Sequence, residues 1–377
     1  MHKVIRTGLA AAVAGTAMFA SLAQAEQYNA NTYMPDSHPL GKLGHIDFAE
    51  DVKARSDGAI DFKVFTGGVL VPPRASLSAI GDDIAQVGFF AGTYTPKELP
   101  VANLVASLAL DNTDMFVQLM ASTEFSLTNE AQLAEWEKNG IVFGGGYSTP
   151  PYNLICSARV ETLDDIQGKK LRMPGGVYER WARYVGAVSV NVSSNEMYTG
   201  LEKGALDCAG NANDALKSHS LWEVADHVTL VEAGVYYSGA MYGYNPGFWA
   251  GLETAQRQLL FDAMADHMVR TAIGYHQLHE EALEWAQSKG IEAIEPAKDL
   301  QAKTAEFIEH DRKELIEQVK AEGNIEDPAA IIDDYQRLLD KWEDLLDGVD
   351  RGDEAAMVSL IREEIYGQVD AASYGVN

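Results

Sequence analysis

The stretch from Asn245 to Lys289 sets the scale of any fold this chain can adopt. After Pro246 its only helix breakers are Gly247, Gly251 and Gly274. Asn245 followed by Pro246 reads as an N-cap with proline at the first helical position, where a missing N–H costs nothing. One or two long helices are therefore expected. A helix of about 30 residues spans roughly 45–50 Å, more than the width of a small domain, so it can run across two. The length of 377 residues agrees with two or more domains of roughly 100–200 residues each.

Before this stretch the chain alternates. Ile60-Asp61-Phe62-Lys63-Val64-Phe65 has period-two polarity and reads as a strand. Further strands are expected at 84–90, 141–143, 154–156, 170–173, 189–192 and 236–244, and a last one at 291–294. Helices are expected at 45–55, 75–80, 114–122, 130–138, 178–185 and 196–203. This alternation implies an α/β fold with largely buried sheets. Neither a low-complexity linker nor an internal repeat divides the chain, so two lobes that exchange segments are expected. Residues 26–149 with 237–277 would form one lobe, residues 150–236 with 278–327 the other, and residues 328–377 a helical extension. In the extension Ala330, Ile331, Tyr335, Leu338, Leu339, Trp342 and Leu345 make an apolar stripe. It is expected either to pack on its own lobe or to form a homodimer contact.

Charge excludes some partners. Lys and Arg total 29 against 56 Asp and Glu, a net charge of −27. A nucleic-acid binder needs a basic face, and so does a protein that docks on anionic lipid. The 46% hydrophobic content is enough to build cores. Lys3 and Arg6, an apolar run at 9–22, and Ala23-Gln24-Ala25 read together as a signal peptide over residues 1–25. An exported, periplasmic protein is expected. Cys156 and Cys208 lie 52 residues apart; a disulfide and two buried thiols are both compatible with that spacing.

Enzyme signatures are missing. There is no G-x-S-x-G, H-E-x-x-H, P-loop or G-x-G-x-x-G. His276 and His279 could share a helix face, but with no third ligand in sight they read as helix surface. No enzyme activity, metal or cofactor is expected.

The informative region is 152–226. Leu163-Asp164-Asp165-Ile166-Gln167-Gly168-Lys169-Lys170-Leu171-Arg172-Met173-Pro174 reads as a helical turn, a glycine turn and a strand. Arg172 sits inside that apolar strand, near its C-terminal end. Pro174-Gly175-Gly176 ends the strand, and a helix follows whose free N–H groups could assist. An arginine there can grip a carboxylate through two parallel hydrogen bonds, at the sheet edge ligands favour. A structural Arg paired to an Asp would give the same pattern.

This segment resembles the "DLKGLKIRVP" stretch of the periplasmic solute-binding subunits of TRAP transporters, the DctP type. The resemblance extends through Gly186-Ala187, Asn195-Glu196-Met197-Tyr198-Thr199-Gly200-Leu201 and Gly204-Ala205-Leu206-Asp207. It also covers Ser37-His38-Pro39-Leu40-Gly41 and Phe62-Lys63-Val64-Phe65-Thr66-Gly67-Gly68, in all about residues 28–325. Each motif is weak alone; their order and spacing together are specific.

The resemblance implies two α/β lobes, each with a central sheet flanked by helices, hinged around a small organic acid and joined by a long lobe-spanning helix. The clamping arginine of the family falls on Arg172, and its ligand-contacting asparagine on Asn211. The family's "GVVDGQENP" pattern is altered here, with Ala209-Gly210 before Asn211 and Ala212 after it. The second arginine of sialic-acid-type members is replaced by Tyr152, which offers a hydroxyl and a ring face instead. Phe90 and Tyr94, after a strand, are candidates to pack on the ligand, as are His38 and Trp249. The implied partner is a membrane permease of the TRAP type, whose ion gradient supplies the energy, so no nucleotide is required. A receptor-feeding binding protein and a secreted enzyme on the same frame are the alternatives. The acidity of the whole does not oppose a bound anion, because a buried contact is decided within a few ångströms while salt screens the rest over about 8–10 Å.

Overall fold

The computed structural model describes residues 27–110 and 112–376. The expected signal peptide, residues 1–25, lies outside the described residues.

Strands, numbered along the chain, form two sheets. The first has the order β2 (Asp61–Phe65), β1 (Gln27–Asn31), β3 (Val87–Phe90), β10 (Ala240–Tyr244), β4 (Val142–Gly145). β1 runs parallel to β2 and β3, and β10 runs antiparallel to β3 and β4. The second has the order β11 (Glu292–Ile294), β9 (His227–Thr229), β5 (Asn153–Cys156), β8 (Cys208–Asn211), β6 (Lys170–Arg172), β7 (Val188–Val190). Helices flank both sheets, giving a two-lobed α/β fold.

Period-two patterns located most strands, but three escaped. β1 reads Gln27-Tyr28-Asn29-Ala30-Asn31, too polar to announce a strand; its backbone is paired on both sides, by β2 and β3. β8 and β9 are likewise paired on both sides. β8 reads Cys208-Ala209-Gly210-Asn211, where small residues let the layers close: a Cβ on Gly210 would sit 2.5 Å from Met173 Sδ. Packing and pairing decide such strands, not propensity.

Asn245 caps the helix Pro246–Gly251, its side chain accepting from Phe248 N at 3.1 Å. A new start follows at once, with Glu253 and Gln256 forming a capping box for the helix Thr254–Ser288. Its 35 residues span about 50 Å. Leu260, Phe261 and Met264 sit in the larger core around the first sheet, whereas Ala286 packs with Ile155 and Val228 of the second.

Cys156 of β5 stands opposite Cys208 of β8 in register, Cα atoms 4.0 Å apart. The two form a disulfide, which resolves the open alternative. His279 is not surface: it is buried, and its Nδ1 accepts from Asn213 N at 3.1 Å.

Beyond residue 327 the helices Pro328–Leu346 and Glu354–Glu364 fold back on the first lobe. Ile331, Tyr335, Leu338, Leu339 and Trp342 are buried, together with Ile332 and Leu346; Ala330 is exposed and Leu345 half-buried. The stripe packs on the helix Met115–Thr128, itself buried along nearly its whole length. Trp342 Nε1 donates to Glu124 Oε2 at 2.7 Å. The homodimer contact expected from this stripe is therefore not supported, because the same chain already covers it.

Candidate ligand-binding site

Two extended segments and the long helix carry the chain between the sheets. Residues 146–152 lead from β4 to β5, and 230–239 lead from β9 back to β10. The two segments bond to each other: Thr149 N donates to Tyr236 O at 3.0 Å, and Tyr152 N to Gly234 O at 3.0 Å. Gly234 takes φ +60°, and a Cβ there would strike Ala109 O at 2.1 Å, so only glycine lets the segment pass. Side chains from these crossings meet others from both sheets around one cavity between the lobes. Tyr147, Tyr152 and Tyr236 come from the crossings, Tyr275 from the long helix, and Tyr33 and Tyr94 from the loops after β1 and β3.

Arg172 reaches this cavity from the end of β6 and is 2% exposed. Its Nε donates to Val192 O at 3.2 Å, Nη1 to Gly210 O at 2.8 Å and Nη2 to the Tyr94 hydroxyl at 3.3 Å. All three acceptors are neutral, and among the described residues no carboxylate pairs with it. The structural alternative of an Arg–Asp pair is thereby set aside. Three of the five N–H groups are engaged, leaving one on each terminal nitrogen for an anion. Desolvation opposes the buried cation, while the surrounding phenol oxygens of Tyr94, Tyr152 and Tyr236 favour it.

The neighbours suit an anion. Burial pushes the hydroxyls of Tyr33, Tyr147, Tyr152 and Tyr275 well above the usual phenol range, and Tyr236 up as well. They remain neutral and can donate. The Tyr147 hydroxyl is buried without a partner. Asn211, at the end of β8, accepts from Ala212 N at 2.8 Å through Oδ1, and its amide faces only the Met197 sulfur at 3.4 Å. That leaves its NH2 as a weakly engaged donor. Tyr152 stacks between Tyr178 and Tyr236, with ring centroids 5.4 and 5.7 Å away.

Of the seven side chains singled out from the sequence, His38, Tyr94, Tyr152, Arg172 and Asn211 line this cavity. His38 is a structural contributor: Nδ1 accepts from Leu40 N at 3.1 Å, and Nε2 stands 3.4 Å from Asp214 Oδ2. Phe90 and Trp249 lie elsewhere. Alternation along β3 turns Phe90 away, onto Trp136, while its neighbour Phe89 packs on Tyr33 and Tyr147. Trp249 is core: Tyr244 and Phe261 hold its ring, and its Nε1 donates to Tyr374 O at 2.8 Å. Pro174 lines the cavity, but no residue of the helix that follows, Gly176–Tyr184, does. Sequence reasoning missed Tyr33, Tyr147, Tyr236, Tyr275, Ser194 and His219.

Asp214 lies just behind the lining. It accepts from Ser218 Oγ at 2.7 Å, and burial pushes its carboxyl up to about 7. Among the described residues no group of three or more His, Cys, Asp or Glu is placed to hold a metal ion.

The lobes touch across the cavity. The Tyr94 hydroxyl also accepts from Ser194 N at 3.1 Å, Asn195 Nδ2 donates to Tyr33 O at 3.1 Å, and Ser37 Oγ to Ser218 O at 2.9 Å. The cavity is thus closed over.

Comparison with known proteins bears on this geometry. A solute-binding protein of Albidiferax ferrireducens is 24% identical over 200 residues, covering 51% of this chain and 56% of its own length; the match spans little more than half of that relative. A Bordetella pertussis extracytoplasmic solute receptor, solved binding pyroglutamic acid, superposes with a TM-score of 0.71 at 19% identity, covering 83% of this chain and 100% of its own. A marine metagenome TRAP solute-binding protein specific for aromatic acids, solved with 3-hydroxybenzoate, gives 0.75 at 16% identity, covering 84% and 99%. At such identities these likenesses speak for the fold. Residues 30–318 match the profile of the bacterial extracellular solute-binding proteins, family 7, called DctP. The chain therefore belongs to this family, the bacterial extracellular solute-binding proteins of family 7, DctP.

Proposed function

We propose that this protein is an extracytoplasmic receptor that captures a small organic acid between its lobes and delivers it to a TRAP membrane permease. The observation that carries the reading is Arg172: a buried guanidinium with two free N–H groups and no anionic partner. A buried charge left unpaired is costly, so the site is complete only with an anion in it. Asn211 and the neutral phenols supply further donors. Two receptors that share this fold were solved with pyroglutamic acid and 3-hydroxybenzoate, both small carboxylic acids.

In this reading residues 26–149 with 237–277 form one lobe and residues 150–236 with 278–327 the other. The open form presents Arg172 to water. The acid's carboxylate pairs with it, closure expels solvent, and the charge-assisted bonds strengthen. The closed lobes form the face that the permease reads in the periplasm. Energy comes from the permease, so the chain needs neither nucleotide nor catalytic group. The test is calorimetry with pyroglutamate and 3-hydroxybenzoate on the wild type and on Arg172→Ala. Loss of the charge pair is expected to weaken binding by about 2–5 kcal/mol, with the fold intact by circular dichroism. Equal affinity in the two proteins refutes the clamp.

A further inference from the structure

His219 follows the short helix Ala215–Ser218 beyond β8, and its ring lines the cavity. Its Nε2 is buried and has no partner among the described residues. The hydrogen bonds around it set the polarity of that nitrogen. His38 Nδ1 accepts from Leu40 N, so the proton of this neutral ring is on Nε2, facing Asp214 Oδ2 at 3.4 Å. Asp214 Oδ2 accepts from the Ser218 hydroxyl at 2.7 Å. With its hydrogen so committed, Ser218 Oγ can only accept from His219 Nδ1, 3.0 Å away. His219 is thus the Nδ1–H tautomer, and Nε2 presents a bare lone pair. Burial, with Arg172 nearby, holds the imidazole down at about 4, so the lone pair stays unprotonated at neutral pH.

The cavity therefore has a donor pole and an acceptor. Arg172 and Asn211 make the donor pole, and His219 Nε2 is the acceptor. Arg172, Asn211 and His219 line the same cavity, so one small molecule can reach both poles. We infer that His219 is a specificity-determining residue, selecting among small carboxylic acids those that also carry an N–H or O–H donor. This rests on the reading of Arg172 as the carboxylate grip. An acid without such a donor would leave Nε2 unpaired in a dry site, and a site built to hydrogen-bond a ligand group discriminates strongly against the analogue lacking it.

Matched pairs test this: 3-hydroxybenzoate against benzoate, pyroglutamate against cyclopentanecarboxylate, and mandelate against phenylacetate. Affinities are measured by calorimetry for the wild type, His219→Leu and His219→Gln, each checked for a cooperative thermal transition. The expected result is that in at least one pair the donor-bearing acid binds the wild type about ten- to a hundredfold more tightly. In His219→Leu the ratio falls to about threefold or less, and His219→Gln, which keeps an acceptor oxygen, recovers part of it. A wild-type ratio near one in every pair, no binding by any of the six acids, or a ratio unmoved in His219→Leu overturns the inference. Arg172→Ala separates the two readings. If that change leaves the donor-free acids bound as before while the His219 ratios behave as expected, the carboxylate grip fails and the acceptor stands.

Discussion

Asp214 is where a single residue behind the cavity ties stability to acidity. It is fully buried, flanked by His38, Ser218 and Tyr275, and its carboxyl is pushed up to about 7 by burial. The folded protein keeps a proton there that the unfolded chain releases near pH 4. Its contribution is therefore complete below the unfolded value and is lost as pH rises through about 7. Buried His45, His219 and His279 act the other way. Burial holds each at about 4, so their contribution is complete above about 6.5 and disappears as pH falls toward 4. Asp214→Asn separates the two trends. Its stability relative to wild type should rise by about 2–4 kcal/mol between pH 5 and 8, read from chemical denaturation at the two pH values. A difference that does not change with pH contradicts the buried, proton-holding carboxyl.

Elements were legible where one face meets a core and the other meets water. The helix Glu130–Lys138 and the cap at Asn245 sit where their sequence signals place them. Phe90 shows the limit: the pattern located β3 but not its phase, and one step of a period-two strand separates the Trp136 side from the tyrosine side. Trp249 failed for a tertiary reason, since the tail at Tyr374 covers it. The cavity lining was legible at Arg172 and Asn211 through motif order. It was not legible at Tyr33, Tyr147, Tyr236, Tyr275 and His219, which only the crossings bring together. The extension past residue 327 shows the same dependence on tertiary structure. Its amphipathic pattern revealed the helix, but the partner surface on Met115–Thr128 had no local signal. Trp342 is completely buried in that contact and donates to Glu124. Trp342→Ala should cost about 3–5 kcal/mol, seen in denaturant midpoints, while 3-hydroxybenzoate affinity of the folded protein at 20 °C stays within about twofold. A surface-like cost below about 0.5 kcal/mol would mean that the extension does not dock as described.

At the scale of the molecule, the question is what holds two lobes closed in a chain of net charge −27. Like charge spread over both lobes favours separating them, within the reach of a Debye length of about 8–10 Å. Contacts across the cavity oppose it, and the Tyr94 hydroxyl is central among them because it accepts from both Arg172 and Ser194 of the other lobe. On the proposed reading, a ligand carboxylate on Arg172 would add a second bridge of the same kind, so closure and binding would reinforce each other. The compact closed form of a chain this long should have a radius of gyration of about 21 Å. Small-angle scattering should show a larger value without ligand and a fall toward that figure with saturating 3-hydroxybenzoate or pyroglutamate. Tyr94→Phe removes the shared acceptor and leaves two donors unpaired across the cleft. It should keep the free protein expanded and weaken binding by about 1–3 kcal/mol, and raising the salt concentration should recover part of the closure by screening the repulsion. If the radius is the same with and without a ligand that calorimetry shows to be bound, closure is not coupled to capture, and the lobes form a fixed frame around Arg172.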